Sequence, residues 1–352
     1  MARSLFAPTT LRRAIDKLGC VQADPIRAPA RAQDLTLRQR VVGYRAGDLE
    51  RRYAKLEIEE DFFVNYGFLP RAKQALMHPR VVRGRTGPKR RQRTQDLLAF
   101  VRERGQVHPR EVDAHFAHGR VTNWFGGSSS ATTQLLDALH YRGLLRVAKR
   151  ESGIRVYALR EQTPPAGAAA ERRARLDALV DLVVGTYAPL PAQSLTGLVS
   201  RLRFGAPQWS EDLRAALQRA KQRLGRARID GVDWYWPAEE APASAGPLPD
   251  DEVRLLAPFD PLVWDRRRFE AFWGWAYRFE AYTNPARRRL GYYALPLLWR
   301  DQVIGWGNLG VVEGTLQAEL GYVTGRAPRE RGFRRALELE LTRMAQFLGA
   351  AR

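Results

Sequence analysis

Apolar residues recur along this chain in short helical blocks, each closed by a hairpin-like alternation. Leu11, Ile15 and Leu18 share one side of a helix that Thr9-Thr10 can cap and Gly19 can close. Gly47-Asp48 marks another helix start before Leu49-Glu50-Arg51-Arg52-Tyr53. The clearest block spans residues 94–160. Leu97, Leu98 and Val101 face one way and Gly105 ends that helix; His108-Pro109 opens a second, with proline at its first position. Ser130 or Thr132 caps a third, carrying Leu135, Leu136 and Leu139 up to Gly143. Leu144–Lys149 and Ile154–Leu159 then alternate around Glu151-Ser152-Gly153, a hairpin signal. Three helices and a basic hairpin in this order predict a winged helix, whose third helix enters or abuts a groove of DNA.

The same order returns after the Pro/Ala-rich linker Thr163–Ala170. Leu176, Leu179, Val180 and Val183 make one helix and Ala192–Leu202 a second; Ser210 is expected to cap a third with Leu213, Leu217 and Leu224. Arg226–Trp236 folds back at Asp230-Gly231, a strong hairpin dipeptide. Beyond a longer linker, Pro237–Asp250, strands are expected at Arg278–Thr283, Gly291–Trp299, Gln302–Asn308 and Gln317–Val323, with a short helix at Phe269–Trp275. Arg331–Leu348 reads as an amphipathic helix with Phe333, Leu337, Leu341, Met344 and Leu348 on its buried stripe. The pattern predicts an α+β chain of tandem helix-turn-helix modules followed by a β-rich C-terminal domain and a terminal helix.

Charge narrows the partner. The 352 residues hold 58 Lys+Arg against 38 Asp+Glu, a net charge of +20 and a pI near 10.7, which favours a polyanion. Between Arg71 and Arg93 there are nine basic residues and no acid, a solvated loop or a phosphate track. Six of the basic residues are lysines, and a GC-rich genome produces the same arginine bias, so the charge is informative and the choice of residue is not. Residues 1–18 lack the apolar core of a signal peptide, and the apolar runs are too short to span a bilayer. One cysteine, Cys20, excludes an internal disulfide framework and fits the reducing cytoplasm, where a DNA-binding protein would sit with the nucleoid. No membrane partner is expected.

Chemistry concentrates at Cys20-Val21-Gln22-Ala23-Asp24-Pro25. In an extended segment Gln22 and Asp24 face the same side, and Pro25 keeps Asp24 out of the helical region. Such a pair can hold a water or stabilise a cationic sugar carbon. The bland alternative is an Asx-turn at Asp24-Pro25 with Gln22 as surface polarity. His115 and His118 lack the accompanying ligands of a metal site, so no metal is expected. Trp124, Trp209, Trp234 and Trp236 read as core anchors before base-stacking residues. No Walker or dinucleotide glycine pattern follows a strand, so no cofactor is expected.

Several stretches resemble the YcaQ/AlkZ family of winged-helix DNA glycosylases. Leu18-Gly19-Cys20-Val21-Gln22-Ala23-Asp24 is similar to that family's Gln-x-Asp motif, and Leu255–Arg266, with Pro258-Phe259-Asp260-Pro261, to its later motif. Gly291–Leu298 and Asn123-Trp124 also match, in the same order along the chain. The resemblance implies three winged helices, the first lying within the N-terminal residues, and hence domains at 1–93, 94–162, 171–237 and 251–352. It implies excision of alkylated purines from double-stranded DNA and, in the Gln-x-Asp branch, unhooking of interstrand crosslinks. Asp24 and Gln22 then become catalytic. A carboxylate near C1′ stabilises the oxocarbenium-like sugar, and an alkylated purine already carries the positive charge that lets it leave. DNA contacts are expected from Arg27, Arg31, Trp124, Arg146, Lys149, Arg150, Arg155, Arg287, Arg288 and Arg289, the last three at a basic hairpin tip. No lysine sits in an apolar segment suited to a Schiff base, so cleavage is expected to be monofunctional, by a monomer. The rival reading is a non-catalytic winged-helix regulator, which would select a sequence.

Overall fold

The computed structural model describes residues 4–81, 87–117, 119–122, 128–162, 164–240 and 251–352. Trp124, Asn123 and His118 lie outside them, as does most of the linker 237–250. The chain divides into two compact units, one of residues 1–49, 181–198 and 220–352 and the other of residues 50–180 and 199–219.

In the first unit the helix Leu11–Leu18 forms as its caps require. Thr10 accepts from the Arg13 amide at 3.4 Å, Gly19 closes the helix at φ +74°, and Leu11, Ala14, Ile15 and Leu18 are buried. The hairpin Gly225–Ile229 and Val232–Trp236 turns at Asp230 (φ +49°) and Gly231 (φ +77°), the two left-handed positions of a tight hairpin turn. Leu190–Pro191 adds a third strand. At the C-terminal end Val253–Leu255, Leu295–Trp299, Gln302–Val312 and Thr315–Tyr322 form one antiparallel sheet in that order. Its core gathers Leu256, Leu262, Val263, Phe269, Tyr277, Ala294, Leu298 and Val303.

Buried charges tie this unit together. The Arg40 guanidinium, fully buried, donates to both Asp260 carboxylate oxygens at 2.7 and 2.9 Å and to the Ser4 and Thr36 carbonyls. Asp265 caps the helix Arg266–Trp273 through the Arg267 and Arg268 amides. The Pro258–Arg266 motif therefore holds the C-terminal domain in shape. Burial pushes the Arg268 guanidinium down to about 10, and it donates to the Tyr187 and Pro261 carbonyls.

Three expectations change here. Arg278–Thr283 is not a strand: the buried Glu280 carboxylate accepts the Arg289 and Leu290 amides, each at 2.8 Å, and folds the segment into a loop. Arg287–Arg289 is therefore not a hairpin tip; it begins in the 3-10 turn Pro285–Arg287. The terminal helix Arg331–Leu348 forms with its expected bounds but is rotated, burying Phe333, Ala336, Glu340, Met344 and Phe347 and leaving Leu337, Leu341 and Leu348 half-buried. Glu340 sets that rotation by pairing with Arg38 and accepting the Leu255 amide at 2.8 Å.

In the second unit the helices Pro88–Arg104, Pro109–Phe116 and Ala131–Tyr141 precede the hairpin Leu145–Glu151 and Ile154–Leu159, which Gln106–Val107 extends to three strands. His108 and Glu111 form a reciprocal capping box, and Ser130 caps the third helix. A second hairpin, Ile58–Phe62 and Tyr66–Pro70, carries three consecutive buried acids, Glu59, Glu60 and Asp61. Ser210 is not a cap. It lies inside the 3-10 segment Pro207–Asp212, where the proline at its start favours a tight turn, and the helix begins at Leu213.

Candidate functional site

Val21–Gln22 is a two-residue strand between the buried Cys20 and the half-buried Asp24. Asp24 is held at both ends. Its amide donates to Gln33 Oε1 at 3.2 Å, and its Oδ1 accepts the Ile26 amide at 2.9 Å. The Asx-turn over Pro25 is thus present, and it fixes the carboxylate instead of consuming it. Among the described residues Oδ2 has no hydrogen-bond partner. Gln33, itself 5% exposed, lies on the helix Ala32–Leu37, so the clamp is backed by packed structure.

Gln22 is not merely surface polarity: its Oε1 is buried and accepts no hydrogen bond among the described residues. Buried polar atoms are nearly always satisfied, so an unsatisfied one is informative. The Tyr293 hydroxyl is another of the ten such atoms among the described residues, on a side chain 3% exposed, and the one of them that the Asp24 charge reaches. Burial pushes the Tyr293 hydroxyl far up, and the nearby Asp24 charge pushes it further, so it is a neutral donor at physiological pH. Burial also raises the Asp24 carboxyl, partly offset by the Ile26 amide. An acceptor, a donor and a more basic carboxylate thus belong to one unit of the fold. The carboxylate can oppose a developing cation, and the two unsatisfied groups can each hold a polar reactant. Tyr293 joins the candidate site residues only through the structure; its place in the Gly291–Leu298 stretch is the signal the sequence carries for it. Gly291 (φ +114°) leaves no room for a Cβ against Asn308, which anchors the chain just before Tyr292-Tyr293.

The expected DNA contacts divide. Arg27 is exposed, and Arg31 stands at the N-cap of Ala32–Leu37. Arg287 and Arg289 are exposed and make no ion pair among the described residues, whereas Arg288 donates to the Thr283 carbonyl at 2.9 Å and covers the Tyr292 ring. In the second unit, Arg146 binds Glu59 at 2.9 Å, and Arg150 binds both oxygens of Glu60 at 2.7 and 2.6 Å. Arg155 pairs with Asp137 at 2.9 Å, and Lys149 with the exposed Glu151 at 2.8 Å. These hairpin cations are committed first to acids of their own unit. For Arg146 and Arg150 sequence could not show this, because Glu59 and Glu60 lie 87 and 90 residues away from them. Trp209 and Trp234 are buried; His115 stacks on Phe100 at 4.5 Å. No group of three potential metal ligands occurs among the described residues, and no helix among them is long and apolar enough to cross a membrane.

Compared with known proteins, residues 15–347 match the family model described as DNA glycosylase AlkZ-like. No solved structure matches the chain.

Proposed function

From its membership of the AlkZ-like DNA glycosylase family, we propose that this chain hydrolyses the N-glycosidic bond of N7- or N3-alkylated purines in double-stranded DNA. The observation that carries the reading is the clamped Asp24, whose second carboxylate oxygen has no hydrogen-bond partner among the described residues and whose charge reaches the unsatisfied Tyr293 hydroxyl, two residues along the chain from the buried, unsatisfied Gln22 Oε1. Asp24 opposes the positive charge that grows at C1′ as the bond breaks and takes a proton from the attacking water. Gln22 Oε1 accepts a hydrogen bond from the O–H that the water keeps and so fixes the line of attack. Because the alkylated base leaves as a neutral molecule, no second acid is required. Hydrolysis is monofunctional, with no lysine intermediate and no cofactor. The helix-and-hairpin blocks act as winged helices gripping the backbone, and the protein works as a monomer. Interstrand crosslinks joined through N7 present the same charged purine and are unhooked by the same step.

The test is to incubate the protein with alkylated duplex and measure free base and alkali-labile sites. Release of N7-methylguanine leaving intact abasic strands is expected. Binding to DNA without any released base, or with preference for one undamaged sequence, would establish the regulator instead.

A further inference from the structure

Tyr282 is 82% exposed, the most exposed large apolar side chain among the described residues. It does not project from a loose segment. Ala281 before it is buried, Glu280 clamps the Arg289 and Leu290 amides, the Thr283 amide returns to the Glu280 carbonyl at 3.0 Å, and Asn284 caps the following turn through Ala286. A rigid loop thus holds an aromatic ring in solvent. That ring is also connected to the site: Phe279 packs edge-on against Tyr282 at 6.0 Å and against Tyr293 at 5.2 Å, and Tyr293 feels the charge of Asp24. The same loop carries the exposed Arg287 and Arg289, with Arg288 over the ring of Tyr292, itself 43% exposed.

We propose that Tyr282 is a base-stacking residue that enters the duplex at the lesion and replaces the stacking lost when the damaged nucleotide moves toward Asp24. A π face bordered by cations fits a nucleobase between phosphates, and base–aromatic stacking tolerates any sequence, as a repair enzyme needs. A protein partner is disfavoured by the unpaired arginines on a chain of net charge +20. The inference rests on duplex DNA being the substrate, but not on the bond being cut.

The test uses a duplex with a tetrahydrofuran abasic analogue opposite 2-aminopurine, whose fluorescence falls on stacking. The wild type and Tyr282→Phe quench it and bind alike. Tyr282→Ala gives no quench and binds on the order of tenfold more weakly, while its circular dichroism matches wild type. Equal quenching by Tyr282→Ala overturns the proposal, as does equal loss in Tyr282→Phe, which would assign the hydroxyl and not the ring. Self-association of the wild type that Tyr282→Ala abolishes also overturns it, by assigning the face to a second copy of the chain. If the wild type quenches this duplex but releases no base from an alkylated one, the stacking role stands and the glycosylase reading fails.

Discussion

Asp260→Asn removes one charge from a fully buried pair and changes almost nothing in shape. Arg40 keeps its bonds to the Ser4 and Thr36 carbonyls, and Asn Oδ1 can still accept the Leu262 amide, made at 3.0 Å by the native residue. Where Asp260 Oδ2 accepted Arg40 Nη1 at 2.7 Å, an amide NH2 now meets an N–H. The guanidinium is left buried without a counter-charge. Breaking one side of such a pair costs about 3–5 kcal/mol, because the surviving ion keeps its desolvation penalty. At roughly 2–4 °C per kcal/mol for a cooperative unit of about 200 residues, the size of the unit that holds the pair, its melting should fall by roughly 6–20 °C. Calorimetry at neutral pH reads the change directly, and it should be nearly insensitive to salt because neither group meets solvent. The double variant Arg40→Met/Asp260→Leu should recover most of the loss, since it leaves no orphaned ion. A loss below about 1 kcal/mol in Asp260→Asn, or a double variant no better than the single one, would refute the assignment of Asp260 as the counter-charge that holds this unit together.

Further predictions concern pH and salt. Burial drives His78 down to about 4, although Asp61 beside it pulls the other way. Its folded value lies below the unfolded one, so its contribution is intact above about pH 6.5 and is lost as pH falls toward 4; about 2 kcal/mol should be gone by pH 5. His78→Gln should flatten that part of the melting-versus-pH curve, and an unchanged slope would contradict it. Asp24 shifts in the opposite sense: its raised carboxyl is protonated earlier on acidification, so the acid limb of excision should lie above the ordinary 3.8. For the same reason Asp24→Asn should raise the melting temperature at pH 7, with the gain disappearing as pH falls through the raised value. Arg287→Ala should lower the slope of log affinity against log salt by about 1 without changing lesion preference.

Elements built from local signals were legible in the sequence. Thr10 and Gly19, the His108-Pro109 helix start, Ser130 and the Asp230-Gly231 turn each lie within a few residues of what they begin or end, and all formed. Elements decided by distant partners were not. Arg278–Thr283 alternates like a strand but yields to Glu280 and its two amides. The face of the terminal helix follows a buried Glu340, which no hydrophobic pattern would place inside. Arg146 and Arg150 read as phosphate contacts in sequence because their acidic partners come from an earlier hairpin. At the candidate site the spacing of Gln22 and Asp24 was readable, as was the proline turn. Tyr293 arrives from a segment far along the chain, and only folding shows its hydroxyl unsatisfied near that carboxylate.

The central claim is that the carboxylate at position 24 opposes the charge on the sugar. A charge about 4 Å away in a half-buried site contributes about 4 kcal/mol, which corresponds to about a thousandfold in rate. Single-turnover release of N7-methylguanine from an alkylated duplex by Asp24→Asn should therefore fall by about that factor while duplex affinity holds, because Asn preserves the Ile26 contact. Release within a few-fold of wild type would contradict the account.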